Sequence, residues 1–239
     1  MIQIRRTCAT LAFAALLVSG CATTQQTKVT DENYCPFMGS ALCAKLVTAE
    51  APSRFGSGGS VAYLRYVNPN AKWTSYKSVM LQPVTFWAGD DDKLSAKDQH
   101  QLTNYFYQAL EKQLGTKFQM VSDPGPGVMR VQVALDDATT ATPVLRSISM
   151  VIPQARALAT LKFLATGSYP FVGSAQAEAK ITDSETGMVL AAAVDRRIGG
   201  GALGTAAQWQ LGDAENAINA WAGQMAERLG AWTSGTAAP

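Results

Sequence analysis

Ala175-Gln-Ala-Glu-Ala-Lys-Ile-Thr-Asp183-Ser-Glu-Thr-Gly187-Met-Val-Leu-Ala-Ala-Ala-Val194 is the stretch whose reading decides the fold. Ala175, Ala177, Ala179 and Ile181 alternate with Gln176, Glu178, Lys180 and Thr182, the period-two pattern of a strand with one apolar and one polar face. Asp183-Ser-Glu-Thr-Gly187 has turn composition, and Met188–Val194 supplies a returning strand. The unit is a β-hairpin, so the sheet is antiparallel at this point.

Upstream, Met129, Val131, Val133 and Leu135 alternate with Arg130, Gln132 and Ala134 and make a third, half-buried strand. It follows the turn Asp123-Pro-Gly-Pro-Gly127 and a short strand Phe118–Val121. Ser95–Leu114 reads as the clearest helix. Ser95-Ala-Lys-Asp98 has the spacing of a capping box, and Gly115 suits the C-terminal cap. Leu102, Tyr105, Phe106, Ala109, Leu110 and Leu114 share one helical face. Before it, Val61–Tyr66 and Tyr76–Trp87 read as strands, with Pro83 implying a bulge, an edge or an early end in the second. The strand–helix–strand unit around the helix is expected to cross over right-handed.

Downstream, a last helix over about Asp213–Leu229 places Ala214, Ile218, Trp221, Ala222, Met225 and Leu229 on one side. Ser147–Leu164 is apolar and interrupted by Pro153. It is read either as a helix covering the sheet or as an insertion touching a membrane or partner. The expected fold is therefore α+β, a mainly antiparallel sheet with two main helices packed against it, in one domain over 61–232 with a flexible tail 233–239.

The first 20 residues look different. Arg5 and Arg6 precede the short apolar run Leu11–Val18, and Ser19-Gly20 lead into Cys21. A charged start, an apolar run too short to span a bilayer and small residues before a cysteine are the layout of a lipoprotein signal peptide, 1–20, cut before a lipidated Cys21. Losing Arg5 and Arg6 takes the 20 basic residues of the chain to 18, against 18 acidic ones. A neutral product offers no electrostatic case for nucleic acid. Residues 21–60 are expected to hold the lipidated cysteine, a polar flexible tether from Ala22 to Asn33, and a small element around Cys35 and Cys43. Those two are an even pair in an oxidising compartment and are expected to form a disulfide, two free thiols being the alternative. With 47% hydrophobic residues the rest can build a core.

Candidates for chemistry are weak. Gly199-Gly-Gly201-Ala-Leu-Gly204 matches G-x-G-x-x-G, but it follows a hairpin strand and lacks a parallel βαβ context, so it reads as a glycine loop. Asp90-Asp-Asp92 lacks the spacers of a calcium loop, and Asp136-Asp137 reads as a solvated strand end. His100, the only histidine, falls on a polar helix face. Asp195-Arg-Arg197 is either an anion-binding cluster or a salt-bridged sheet edge. The aromatics Trp73, Tyr76, Trp87, Trp209 and Trp221 read as core or interface. No catalytic residue, cofactor or metal ligand is expected.

Leu64-Arg-Tyr-Val-Asn-Pro69 and Tyr76-Lys-Ser-Val-Met-Leu-Gln-Pro83-Val-Thr-Phe-Trp87 together resemble a Gram-negative lipoprotein family, the domain of unknown function 3313. Asp123–Gly127, Ala177–Asp183 with Thr186-Gly187, and Ala220-Trp-Ala222 are similar to it as well, so the likeness runs from about Leu64 to Leu229. It implies a periplasmic, lipid-anchored domain and brings no catalytic residues. Ala22 after the cysteine, in place of aspartate, points to the outer membrane. The expected role is a non-catalytic scaffold or accessory subunit of the cell envelope, bound to the membrane through lipid on Cys21, with an envelope protein as partner. The alternative is a periplasmic binder of a small apolar ligand or lipid.

Overall fold

In the computed structural model of the chain, residues 24–29, 34–49, 62–87, 94–139, 174–199 and 211–239 are described. Nine strands are present among them: β1 (Thr24–Thr27), β2 (Val47–Thr48), β3 (Leu64–Val67), β4 (Ser78–Leu81), β5 (Thr85–Phe86), β6 (Gln119–Met120), β7 (Val128–Thr139), β8 (Ser174–Asp183) and β9 (Val189–Gly199). The helices are α1 (Cys35–Met38), α2 (Ser40–Cys43), α3 (Ala96–Leu114) and α4 (Gly212–Ser234), with a 3-10 turn at Trp73–Ser75.

All strands join one sheet in the order β2-β3-β9-β8-β7-β4-β6, with β1 added on β9 and β5 on β7. The hairpin β8–β9 is its centre, registered from Ser174↔Ile198 to Thr182↔Val189. Its turn is held by Asp183, whose carboxylate accepts from Thr186 N at 2.8 Å and from Tyr76 Oη at 2.9 Å. Burial works to raise that carboxyl, but these donors hold it below its ordinary value. Gly187 closes the turn at φ +72°, a conformation side chains rarely adopt.

The fold is α+β, and the sheet is mixed. β2, β3, β9, β8, β7 and β1 are joined by antiparallel ladders. Beyond β7 the neighbours run parallel, β4 and β5 against β7 and β6 against β4. The expected antiparallel character thus holds on one side only. On the other, α3 carries the chain back to the end at which β4 began, and a strand laid down after such a crossover runs parallel. Tyr76–Trp87 is two short strands, since Pro83 has no N–H for the ladder; Gln82 N and Trp87 N still bond to Val131 O and Leu135 O.

The core lies between the sheet and the pair α3 and α4. Leu102, Phe106, Leu110 and Leu114 of α3 are fully buried, as are Met129, Val131 and Leu135 of β7. Phe106 stacks on Trp221 of α4 at 5.9 Å, and Asn219 Nδ2 donates to Tyr105 Oη at 2.7 Å across the helix pair. Ser95 caps the helix: its Oγ accepts from Asp98 N at 3.2 Å and donates to Asp98 Oδ2 at 2.8 Å, so the Asp98 carboxylate binds the serine hydroxyl. Ser95→Ala should lower folding stability by about 1 kcal/mol in urea denaturation, with Ser95→Asp restoring most of it. α4 runs to Ser234, five residues past the expected Leu229, because Thr233 is buried and Trp232 packs on Trp73 at 4.8 Å.

Two expectations need correction. The polar stretch read as a flexible tether forms β1 over Thr24–Thr27, paired with β9 from Thr24↔Gly199 to Thr27↔Arg196. An edge strand needs backbone hydrogen bonds rather than apolar side chains, and the buried Gln26 has a specific polar partner, described below. The second concerns the polar face of β8. Gln176 (0% exposed), Glu178 (1%) and Thr182 (7%) are buried there, not solvated. On this second face Met38 and Leu42 pack on Ala192 and Val194, the cross-strand neighbours of Lys180 and Glu178. Cys35 and Cys43 form a disulfide with Cα atoms 5.4 Å apart, binding α1 to α2 in this small cover. Closing so short a loop stabilises the folded form by about 2 to 3 kcal/mol in the chain-entropy view.

Candidate functional site

Small residues on the helix-facing side of the sheet leave a space beneath α4. Arg65↔Ala193 in β3–β9 and Ala193↔Ala179 in β9–β8 form one row across the sheet. The next row is Val67↔Ala191 and Ala191↔Ile181. Alanine reaches too little into the gap to meet the helix above. The roof is one stripe of α4, with Trp221, Met225, Leu229 and Trp232 at helical spacing. Between floor and roof lies a cleft of about 120 Å³, open to solvent on one side and almost wholly apolar.

Its lining is not all apolar. Asp195, which lines it, is 4% exposed, its neighbour Arg197 is 3% exposed, and they pair with Arg197 Nε to Asp195 Oδ2 at 3.2 Å. The Asp195 carboxylate also accepts from Trp221 Nε1 at 2.8 Å, from Tyr63 N at 3.0 Å and from Gln26 Nε2. One side chain thus ties together β1, the approach to β3, β9 and α4. Arg197 donates further to Thr24 Oγ1 at 3.3 Å and Gln224 Oε1 at 3.2 Å. Burial pushes the Asp195 carboxyl above its ordinary value, against the pull of Arg197 and of the other donors. The Arg197 guanidinium is lowered by the same burial, against Asp195.

Arg65 and Arg228 also line the cleft, both half-buried. Arg228 lies over the Trp232 ring, 6.0 Å from its centroid. Burial, and after it the like charge of Arg65, holds the Arg228 guanidinium below its ordinary value.

The sequence candidates fall elsewhere or are absorbed into structure. Asp195 and Arg197 make a salt bridge, as one reading had it, but not at a sheet edge. β9 has β8 on one side and β3 with β1 on the other, so the pair is interior and Arg197 is not open to an outside anion. His100 is exposed on α3 with its ring 3.2 Å from Asn104 Nδ2, one turn along the same helix. Asp136 is buried and accepts from Gln176 Nε2 at 2.7 Å, so it is not a solvated strand end. Trp73 and Trp221 are core residues, whereas Trp87 is 39% exposed and meets Phe37 edge-on. Cys21, Asp90–Asp92, Ser147–Leu164, Gly200–Gly204 and Trp209 lie outside the described residues. Among the described residues no cluster of histidine, cysteine and acidic side chains could hold a metal ion, and no helix is long and apolar enough to cross a membrane.

Sequence reasoning did not single out Glu178. Neither of its carboxyl oxygens has a hydrogen-bond partner. Burial first, and then the nearby Asp136 charge, push its pKa to about 9, against a smaller pull from Lys180. It is a protonated acid inside the fold near neutral pH. The alternation that placed it on a polar face gave no sign that this face is covered.

The sequence model of a family described as "Protein of unknown function (DUF3313)" matches residues 53–225. No curated protein matches the chain. Among solved structures, the PelC dodecamer from Paraburkholderia phytofirmans is 8% identical, with a TM-score of 0.37, over 67% of this chain and 94% of that one. Protein XCC0632 from Xanthomonas campestris is 10% identical, with a TM-score of 0.36, over 71% of this chain and 92% of that one. A putative neuraminyllactose-binding hemagglutinin homolog from Helicobacter pylori is 8% identical, with a TM-score of 0.32, over 69% and 88%. At such distances the likeness says nothing about function.

Proposed function

Because the chain belongs to the DUF3313 family of proteins of unknown function, which covers residues 53–225, its role has to come from its own residues, and we propose a lipid-anchored, non-catalytic protein of the cell envelope. In this reading the signal 1–20 is removed, Cys21 carries the lipid, Ala22 directs the protein to the outer membrane, and the domain faces the periplasm as a scaffold or accessory subunit for an envelope partner. The supporting observation is β1. Its first residue, Thr24, lies three residues after Cys21. A fully extended chain covers at most about 11 Å over that distance. Strand β1 is in turn tied to the buried Asp195–Arg197 pair. A lipid on Cys21 would therefore hold the sheet close to the bilayer instead of letting it roam on a leash, which suits a protein that works as a fixed part at the membrane surface. The groups best suited to chemistry near the cleft, Asp195 and Arg197, are committed to each other and to structural partners.

Cells fed an alkyne-bearing fatty acid should label the wild-type protein and recover it in the outer-membrane fraction. Cys21→Ser should remove the label and release the protein from the membrane. Label that persists in Cys21→Ser, or a wild type that takes up none, would overturn the anchor. The alanine-floored cleft favours a second role for the same domain, the binding of a small apolar ligand.

A further inference from the structure

We propose that the cleft beneath α4 takes the end of an unbranched alkyl chain, lying over Ala179 and Ala193 with its polar head left outside in water. This rests on the reading of the cleft as a ligand site and is independent of the lipid anchor.

The floor is open where a core should be sealed. Ala179 and Ala193 face each other across the β8–β9 ladder, in the middle of the sheet. Both are only half-buried, whereas Ala177 and Ala191 beside them are 7% and 5% exposed. Solvent therefore reaches the floor of the cleft at this pair, and a ligand can follow.

Size and shape select a chain over a ring. An apolar cavity of about 150 Å³ in another protein holds benzene, so the 120 Å³ here has room for about five carbons inside and no closed ring. The roof stripe from Trp221 to Trp232 runs about 16 Å along α4, at 1.5 Å per residue, so the space can be long while it is narrow. The flexible Met225 in this stripe can settle against a thin chain.

Chemistry selects an end without polar atoms. Of the polar groups that line the cleft, the Asp195 carboxylate already takes four donors, and the Trp221 N–H is one of them. A hydroxyl or a charge carried inward finds no partner in either. Leaving such a group buried and unpaired weakens binding about ten-fold or more, so the polar head stays at the open side.

The test is calorimetric titration of the whole chain from residue 21 onward, carrying Cys21→Ser to remove the lipid, with alcohols of increasing length. Affinity should climb about four-fold per methylene from 1-butanol to 1-hexanol, then level off by 1-octanol as further carbons remain in water. Cyclohexanol, with as many carbons, and 1,6-hexanediol, with a hydroxyl at each end, should each bind at least ten-fold more weakly than 1-hexanol. Ala193→Phe should abolish binding while its urea midpoint reports an intact fold. Met225→Ala should lengthen the space, so that 1-octanol gains several-fold over the wild type and 1-butanol does not. Dihexanoylphosphatidylcholine below its micelle concentration separates two sources of the chain. Binding as tight as that of 1-hexanol assigns the cleft to lipid acyl chains, and weaker binding to free alkyl molecules. Cyclohexanol or the diol binding as well as 1-hexanol, or affinity that climbs without levelling, would overturn the chain and leave an apolar site. Failure of every alcohol to bind the wild type would overturn the site itself.

Discussion

Asp195→Ala is expected to cost about 3 to 5 kcal/mol of folding stability, read as a fall in the urea midpoint. A domain of this kind has only about 5 to 15 kcal/mol in total, so the variant should be close to unfolding. The loss has two sources. Arg197, 3% exposed, would be left as a buried charge without its counter-ion. The Trp221 indole, the Gln26 amide and the Tyr63 N–H would each lose their acceptor. Because Gln26 and Thr24 hang on this pair, β1 should exchange its amide hydrogens faster in the variant even where the rest of the sheet stays protected. The double change Asp195→Leu with Arg197→Met should recover much of the stability, since an apolar pair of similar volume has no charge to desolvate. A loss below about 1 kcal/mol in Asp195→Ala would show that the pair is not what joins these elements.

The second large effect is on pH dependence. An unfolded Glu178 gives up its proton around its ordinary value of 4.5, whereas the folded protein keeps it until about pH 9. Its folded pKa lies above its unfolded one, so its contribution is fully present below pH 4.5 and is lost as pH rises toward 9. Between those limits unfolding releases a proton, at a cost to stability of at most about 1.4 kcal/mol per pH unit. Glu178→Gln keeps the shape and cannot ionise. Relative to the wild type it should gain about 2 to 3 kcal/mol between pH 6 and pH 8, with the two curves parallel above pH 9. Denaturation midpoints measured across this range decide it. Curves that stay parallel from pH 6 to pH 8 would mean that Glu178 is already ionised in the folded protein.

Much of the backbone was legible locally. The box Ser95–Asp98 marked the start of α3, the alternation in 129–135 marked β7, and Asp183–Gly187 marked the hairpin turn, each at the observed place. The site was less legible. Ala177 and Ala179 on one strand of the hairpin and Ala191 and Ala193 on the other look like ordinary small core residues, and nothing in the spacing says that α4 fails to reach them. Arg65 and Arg228 are far apart in the chain and share a rim only after folding. Asp195-Arg-Arg197 was noticed as a charge cluster, but its environment was misjudged because neither β1 nor the roof of α4 is visible from the cluster itself.

Local sequence was enough for α3, α4, the hairpin and which of their residues share a face, since these follow from periodicity, caps and turn residues within a few positions. It also carries the family membership. The tertiary structure alone decided which faces are covered, and with that the state of every group that matters most. A polar alternation says that a face can be wetted; whether it is depends on what the rest of the chain lays over it. Gln26 and Asp195, 169 residues apart, meet inside the protein. Glu178 holds its proton because its strand face is buried. Burial is a property of the assembled chain, and desolvation, which sets the energy of every buried charge, acts only once that assembly exists.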